Sequence, residues 1–333
     1  MSDPAAHPDG PTRPCHAPGT HQDGGPPHGH HRSGVGTDTH GDPHDRCGHG
    51  RHRHQDGTHH RHGADDQAEL LDLEAEVLAG HLADVTGGLP LATSPRRILD
   101  LGCGTGAGTF ALLDRFPDAR VTAVDASAVH LGRLTEKARV RGLEGRVRTV
   151  RVDLDAPDWP DLGTPDLVWA SASMHHLADP GRVLRTVHDL LAPDGLFAVV
   201  ELADFPRFLP ADAPRERPGL EDRCHAVRAP FHAEHAPHRG ADWGRLLADA
   251  GFAPAGTRTV TVRVDGAGNS SVGAYALSSL RRLRQGVDAL LDPEDVAALD
   301  RLLDTDGPHS VLRRDDLAVR TERTVWTARR TTG

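Results

Sequence analysis

The feature that most constrains the fold is a regular alternation of apolar and amphipathic segments between residues 96 and 202. Strands are predicted for RRILDL, RVTAVDAS, RVRTVRVDLD, PDLVWASAS and LFAVVEL, and amphipathic helices follow the first, second and fourth of them. Such an alternation predicts a parallel sheet with helices on both faces and right-handed crossovers. We therefore expect an α/β fold with a doubly wound, mostly parallel sheet, whose ligand crevice lies at the carboxyl ends of the strands.

The segments on either side of this alternation extend the same domain. Residues 66–86 have apolar residues at helical spacing and predict one amphipathic helix. Residues 203–239 contain six prolines and predict an irregular insert. Further along, ADWGRLLADAGF predicts a helix, residues 272–304 predict two helices, and GTRTVTVRV and LAVRTERTVWTAR predict strands that pair as a C-terminal antiparallel hairpin.

The first 63 residues differ sharply in composition from the rest of the chain. They contain no Leu, Ile, Phe, Trp or Tyr and hold 14 of the 24 histidines, so they have almost nothing to bury. We expect a disordered His/Gly/Pro-rich tail over residues 1–63 and one domain over 64–333, with cap-type inserts at 203–239 and 265–316. Histidines in HGHH, RHRH and HHRH could chelate nickel or zinc, so a metal-binding protein with the domain as scaffold is one alternative function.

Charge and composition exclude several classes of partner. The net charge is −10, and seven Asp and six Arg nearly cancel within the tail, so the domain carries the excess of acid. An acidic domain lacks the basic surface that nucleic acid requires. The sequence has no apolar stretch long enough to span a membrane, and its four cysteines show no zinc or disulfide spacing. We expect a cytoplasmic protein with small-molecule partners, no nucleic acid and no membrane; its oligomeric state is left open.

The predicted strands end in polar or glycine-rich segments where that crevice is expected. The first strand leads into DLGCGTGAG, whose glycines let the backbone approach a ligand closely. Asp125 ends the second strand and could accept both hydroxyls of a ribose, and Asp153 ends the third and could accept from an adenine amine. After the fourth strand, Ser171, Ser173 and the pair His175 and His176 could reach a reacting group.

Together these residues resemble the class I S-adenosylmethionine-dependent methyltransferases, over roughly residues 70–330. The resemblance implies a Rossmann-like seven-stranded sheet and S-adenosyl-L-methionine as methyl donor. In that family the loop has the form D-x-G-x-G-x-G, which Asp100, Gly102, Gly104 and Gly106 match here. The resemblance implies these donor-binding residues: Asp100, Gly102, Cys103, Gly104, Thr105, Gly106, Asp125, Ala126, Asp153, Leu154 and Ser171.

A second adenosine cofactor fits part of the same loop. Gly102, Gly104 and Ala107 satisfy G-x-G-x-x-G/A, so an NAD(P)-binding oxidoreductase is the other alternative. Asp100 disfavours it, because a carboxylate there would repel a pyrophosphate, whereas the cationic sulfonium donor tolerates or attracts it.

The reaction expected from the resemblance is methyl transfer to a small molecule. The enzyme has mainly to align the donor and the acceptor, and it needs a general base only if the acceptor is protonated. His175 and His176 are the candidate bases, and no metal ion is expected to take part. Oxygen, nitrogen, carbon and sulfur acceptors all remain open.

Overall fold

The computed structural model describes residues 56–287 and 289–330. Most of the histidine-rich tail, residues 1–55, lies outside this range, so its disorder and its metal binding remain predictions. The first helix begins at Asp56, ten residues before the predicted helix and within the segment assigned to the tail.

Seven strands form one sheet in the order β3-β2-β1-β4-β5-β7-β6. The five strands predicted between residues 96 and 202 are parallel to one another, and β7 runs antiparallel to both β5 and β6. The doubly wound fold class and the C-terminal antiparallel hairpin are therefore confirmed. The strands are β1 Arg97–Leu101, β2 Arg120–Asp125, β3 Val147–Arg151, β4 Leu167–Ser171, β5 Leu196–Leu202, β6 Phe252–Asp265 and β7 Ala318–Arg330.

Helices cover both faces of the sheet and form a further apolar layer beside it. Side chains of α2, α3 and α4 pack on one face, those of α5 and α7 pack on the other, and α1, α6, α8 and α9 share a third apolar cluster with the hairpin. The helices are α1 Asp56–Val77, α2 Ala79–Gly87, α3 Ala107–Arg115, α4 Ala128–Val140, α5 Pro180–Leu190, α6 Leu220–His235, α7 Trp243–Asp249, α8 Ser270–Arg284 and α9 Pro293–Leu303. None of the helices in residues 56–287 and 289–330 is long and apolar enough to cross a membrane.

Two of the predicted segments differ in the structure. The single helix expected over 66–86 is divided at Leu78, whose backbone leaves helical geometry two residues before Gly80. The insert 203–239 was predicted to be irregular, which is wrong, because it contains the 16-residue helix α6. Four of its six prolines precede Leu220, the first residue of the helix, so they leave most of the following segment free to form helical hydrogen bonds.

Candidate functional site

A cavity of about 330 Å³ lies at the carboxyl ends of β1, β2 and β4. This is the crevice where the strand order of a doubly wound sheet reverses. Ten of the eleven predicted donor-binding residues line it: Asp100, Gly102, Cys103, Gly104, Thr105, Asp125, Ala126, Asp153, Leu154 and Ser171. The structure thus brings residues from four strand ends and the glycine loop together at one cavity.

The glycine loop packs too tightly for larger residues at one of its positions. Gly102 has φ +65°, and a Cβ there would lie 2.4 Å from Cβ of Ser173. Ser173 in turn donates its hydroxyl proton to the carbonyl of Leu101, at 2.9 Å. The segment after β4 therefore contacts the loop after β1, as the predicted strand order requires.

Asp125 joins the glycine loop to the start of α4. Its Oδ2 accepts the N–H of Gly104 at 2.9 Å, and its Oδ1 accepts the N–H of Ser127 at 2.8 Å and lies 3.2 Å from Nδ1 of His130. Burial alone would raise the pKa of this carboxyl, but the bonds from His130, Ser127 and Gly104 outweigh burial and hold the pKa below its ordinary range. Asp125 is thus an ionised acceptor on the cavity wall.

Asp100 lies at the bottom of the cavity and is almost fully buried. Its Oδ2 accepts the hydroxyl proton of Thr109 at 2.6 Å. Burial raises the pKa of Asp100 from 3.8 to about 7, and the nearby charge of Asp125 adds to the rise. The carboxyl group therefore ionises near neutral pH. A positive charge in the cavity would favour its ionised form.

The remaining predicted residues at the strand ends occupy the rim. Asp153 is exposed, and its Oδ1 accepts the N–H of Asp155 at 3.0 Å. Leu154 is buried and lines the cavity beside it. Ser171 is half-buried at the end of β4. Asp153 and Leu154 therefore lie on the β3 side of the cavity, and Ser171 lies on the β4 side.

Two predicted site residues do not line the cavity. Gly106 has φ +100°, and a Cβ there would meet Phe110 and Leu134, so this glycine is required by the packing at the start of α3. His175 is only 3% exposed and points into the interior, where its Nδ1 lies 2.5 Å from Oε2 of Glu201. His175 is not among the residues that line the cavity, so its assignment as a candidate base stays a prediction.

His176 faces the cavity instead. Its Nδ1 lies 3.1 Å from the carbonyl oxygen of His235, so the Nδ1–H tautomer is favoured and Nε2 keeps its lone pair. Burial lowers the pKa of His176 below 6.5, and the charge of a protonated His175 would lower it further. The ring is consequently neutral at neutral pH, which is the form that can accept a proton.

Helix α1 closes one side of the cavity. Gln67, Leu71 and Glu74 line it, and Leu71 comes within 3.3 Å of the position of a Cβ on Gly104. In the described part of the chain, no lining residue comes from 203–239 or 265–316, so the cap role of these two inserts stays a prediction.

Four charged residues at or beside the cavity were missed from the sequence: Glu74, Asp155, Glu201 and Arg323. Glu201 is the one charged residue in the otherwise apolar LFAVVEL, and this isolated acid was the available signal. Arg323 lies in the imperfectly alternating final strand, where its inward direction could be known only from the register with β5. Glu74 carries no signal in the sequence, since an acid at one turn of an amphipathic helix is ordinary.

The charges that line the cavity indicate the kind of ligand it can hold. Five carboxyl side chains line it, against a single guanidinium, that of Arg323, among residues 56–287 and 289–330. They are Glu74, Asp100, Asp125, Asp153 and Asp155. This set suits a cationic sulfonium compound with an ammonium group and ribose hydroxyls, and it opposes a pyrophosphate.

Comparison with known proteins also points to the methyltransferases. Residues 99–197 match a family model described as a methyltransferase domain. Trans-aconitate 2-methyltransferase of Rhodococcus jostii is 33% identical over 49% of this chain and 60% of its own length. The 27-O-demethylrifamycin SV methyltransferase of Amycolatopsis mediterranei is 32% identical over 46% of this chain and 55% of its own length. The chain thus spans little more than half the length of these relatives.

The solved structures that resemble this one have lower sequence identity to it. The YcgJ protein from Bacillus subtilis is 17% identical with a TM-score of 0.46, over 76% of this chain and all of that one.

Proposed function

We propose that this chain, which belongs to the class I S-adenosylmethionine-dependent methyltransferases, transfers the methyl group of that donor to an oxygen, nitrogen, carbon or sulfur atom of a small molecule. The observation that carries the proposal is the shared cavity, where the glycine loop, Asp125, Asp153 and His176 meet under α1.

The residues around the cavity fit the donor in three respects. The loop from Gly102 to Thr105 offers backbone without bulky side chains, and Asp125 offers an ionised carboxylate for ribose hydroxyls. Asp100 offers a carboxyl whose ionisation a sulfonium and an ammonium would favour. The donor, when bound, supplies an electrophilic methyl group on a good leaving group.

The chain itself then has to orient the acceptor, exclude water and remove a proton where the acceptor carries one. Helix α1 lines one side of the cavity and reduces the access of water from that side. The neutral Nε2 of His176 accepts the proton, while Nδ1 holds the ring in place by its hydrogen bond to the carbonyl of His235. Positioning of the two reactants supplies most of the acceleration in such a reaction.

The names of the relatives also favour a small-molecule acceptor. The relatives are named for trans-aconitate and for a rifamycin, and both are small organic molecules. The histidine-rich alternative concerns residues that lie mostly outside the described range, and within that range no group of three or more His, Cys, Asp or Glu is arranged for a metal ion. We also propose a cytoplasmic location, in keeping with the free, buried thiols of Cys103 and Cys224.

Mass spectrometry of labelled products tests the proposal. The full chain is incubated with a small-molecule extract and methyl-labelled S-adenosylmethionine, and His176→Gln is treated in parallel. We expect a labelled compound that forms with the wild type and forms much more slowly with the variant. If the wild type yields no labelled compound from any extract although it binds the donor, the chain is a binding module and the proposed activity is wrong.

A further inference from the structure

A buried arginine lines the cavity on the side away from the glycine loop. Arg323 belongs to β7, is 4% exposed and shares the cavity with Glu74 of α1. The guanidinium forms an ion pair with Glu74 through Nη2. A charged group at this depth is costly unless its hydrogen bonds are satisfied.

Most of the hydrogen bonds that this guanidinium can donate are not made by the protein. A guanidinium has five N–H donors in a planar fork. Within the described part of the chain, the guanidinium of Arg323 donates one hydrogen bond, which goes to Glu74. Its Nε is buried and has no acceptor. A ligand in the cavity that accepts from the Nη groups would therefore supply hydrogen bonds that the free protein does not make.

The place of Arg323 in the sheet separates it from the predicted donor site. Arg323 pairs in register with Leu202 at the carboxyl end of β5. In the sheet order, β7 is three strands from β1, so spacings of about 4.8 Å put it roughly 14 Å from the strand that carries the glycine loop. The residues proposed for the donor lie at the ends of β1, β2, β3 and β4. Arg323 is thus on the side of the cavity that remains for the acceptor.

Among the residues that the structure describes, the guanidinium of Arg323 is the one cationic side chain that lines the cavity there. Tyr275 of α8 and His81 of α2 lie near it, together with Glu74. Burial and the charge of Arg323 lower the pKa of His81 to about 4, so this ring is neutral at neutral pH. On this side of the cavity an incoming anion would therefore meet the guanidinium of Arg323 and the carboxylate of Glu74 that is paired with it.

We propose that Arg323 binds a carboxylate of the methyl acceptor, and that Glu74 holds the guanidinium in place until the acceptor arrives. The proposal rests on the proposed function and adds the chemical class of the acceptor to it. A carboxylate matches the planar fork of a guanidinium with two parallel hydrogen bonds, which a hydroxyl or a carbonyl does not. Glu74 and the ligand compete for the same group, so the two residues have opposite effects on ligand affinity.

Isothermal titration of the full chain, saturated with S-adenosylhomocysteine, tests this. The probes are acetate, succinate and trans-aconitate, each compared with its methyl ester. The proteins are the wild type, Arg323→Met, Glu74→Gln and, as control, Arg263→Met, which removes an exposed arginine from the neighbouring strand β6. Arg323→Lys keeps the charge but loses the fork, and it replaces the methionine variant if that variant does not fold.

We expect substitution of Arg323 and substitution of Glu74 to change carboxylate affinity in opposite directions. At least one carboxylate should bind the wild type more tightly than its methyl ester does. Arg323→Met should weaken that binding about tenfold or more, and Glu74→Gln should strengthen it. The control Arg263→Met should leave it unchanged. The proposal is overturned if no carboxylate is preferred over its ester, or if both variants weaken binding equally, since the pair then only holds α1 in place. If Arg323→Met weakens S-adenosylhomocysteine instead, the guanidinium binds the donor and the acceptor assignment is wrong. Failure of the wild type to bind S-adenosylhomocysteine at all would count against the proposed function itself.

Discussion

His175 and Glu201 form a buried pair, with Nδ1 of the imidazole 2.5 Å from Oε2 of the carboxylate. The other oxygen, Oε1, accepts three backbone N–H groups in a row, from Ser173, Met174 and His175. Glu201 therefore holds the whole turn after β4 through four bonds, and this turn presents the neighbouring His176 to the cavity. We therefore expect the His175–Glu201 pair to position His176 through this turn.

Replacement of Glu201 tests this positioning role. Glu201→Ala leaves three N–H donors and an imidazole without a partner in the interior, so we expect the free energy of unfolding to fall by about 3 kcal/mol or more. Glu201→Gln keeps an acceptor oxygen for the N–H groups, and its loss should be clearly smaller. Urea denaturation of the two variants measures both values. Equal losses would show that the bonds to the turn contribute nothing.

Two glycines with nearly the same φ allow the cost of a left-handed backbone to be measured separately from the cost of a steric clash. Gly102 has φ +65° and would place a Cβ 2.4 Å from Ser173, whereas Gly142 has φ +66° with nothing within 4 Å. Gly142→Ala should cost about 1 kcal/mol, which is the price of the left-handed conformation alone. Gly102→Ala should cost distinctly more in the same urea experiment, because the loop and the turn after β4 must separate. A difference near zero would mean that this contact yields easily.

The sequence predicted the sheet well because its strands are encoded locally. Each strand from RRILDL to LFAVVEL is an apolar run followed by a turn signal, and parallel pairing then brings the strand ends to one edge. The placement of Asp125, Asp153 and His176 at one cavity follows from that rule alone. Contacts between distant segments could not be predicted in this way. Glu74 and Arg323 are 249 positions apart, and nothing local to either residue indicates the other.

The helical parts show the same limit. Six prolines between 203 and 239 predicted an irregular segment, but helix formation depended on where those prolines fall relative to Leu220 and on burial of Leu220 and Cys224. The interior position of His175 likewise depended on a partner, Glu201, from another strand. Tertiary contacts of this kind override what a short window of sequence favours.

The raised pKa of Asp100 predicts a pH-dependent contribution to stability. Its folded value of about 7 lies above the ordinary 3.8, so its contribution is fully present below pH 3.8 and is lost as the pH rises through 7. Between these values the wild type should lose about 1.4 kcal/mol per pH unit relative to Asp100→Asn. Urea denaturation from pH 4 to pH 7.5 measures the difference, with exposed Asp118→Asn as control. A difference that does not vary with pH would contradict the shift.

His176 should titrate below the ordinary range for histidine. Burial and the neighbouring His175 lower its pKa from 6.5, so the ring stays neutral throughout the pH range in which it would act as a base. NMR titration of the imidazole signals, assigned with His176→Gln, measures the midpoint. The same variant should lower the rate of methyl transfer about a hundredfold or more with little effect on binding of S-adenosylhomocysteine. A midpoint at or above 6.5, or an unchanged rate, would remove His176 from the mechanism.

Binding of S-adenosylhomocysteine to the full chain, measured by isothermal titration, tests the central claim most directly. We predict one binding site, no competition from NAD, and loss of binding by about tenfold or more in Asp125→Asn, because Asp125 both accepts from the ligand and holds the N–H of Gly104. Asp114→Asn, whose side chain is 63% exposed and lies away from the cavity, should bind as the wild type does. No binding by the wild type, or displacement of S-adenosylhomocysteine by NAD, would contradict the assignment of this cavity to a sulfonium methyl donor.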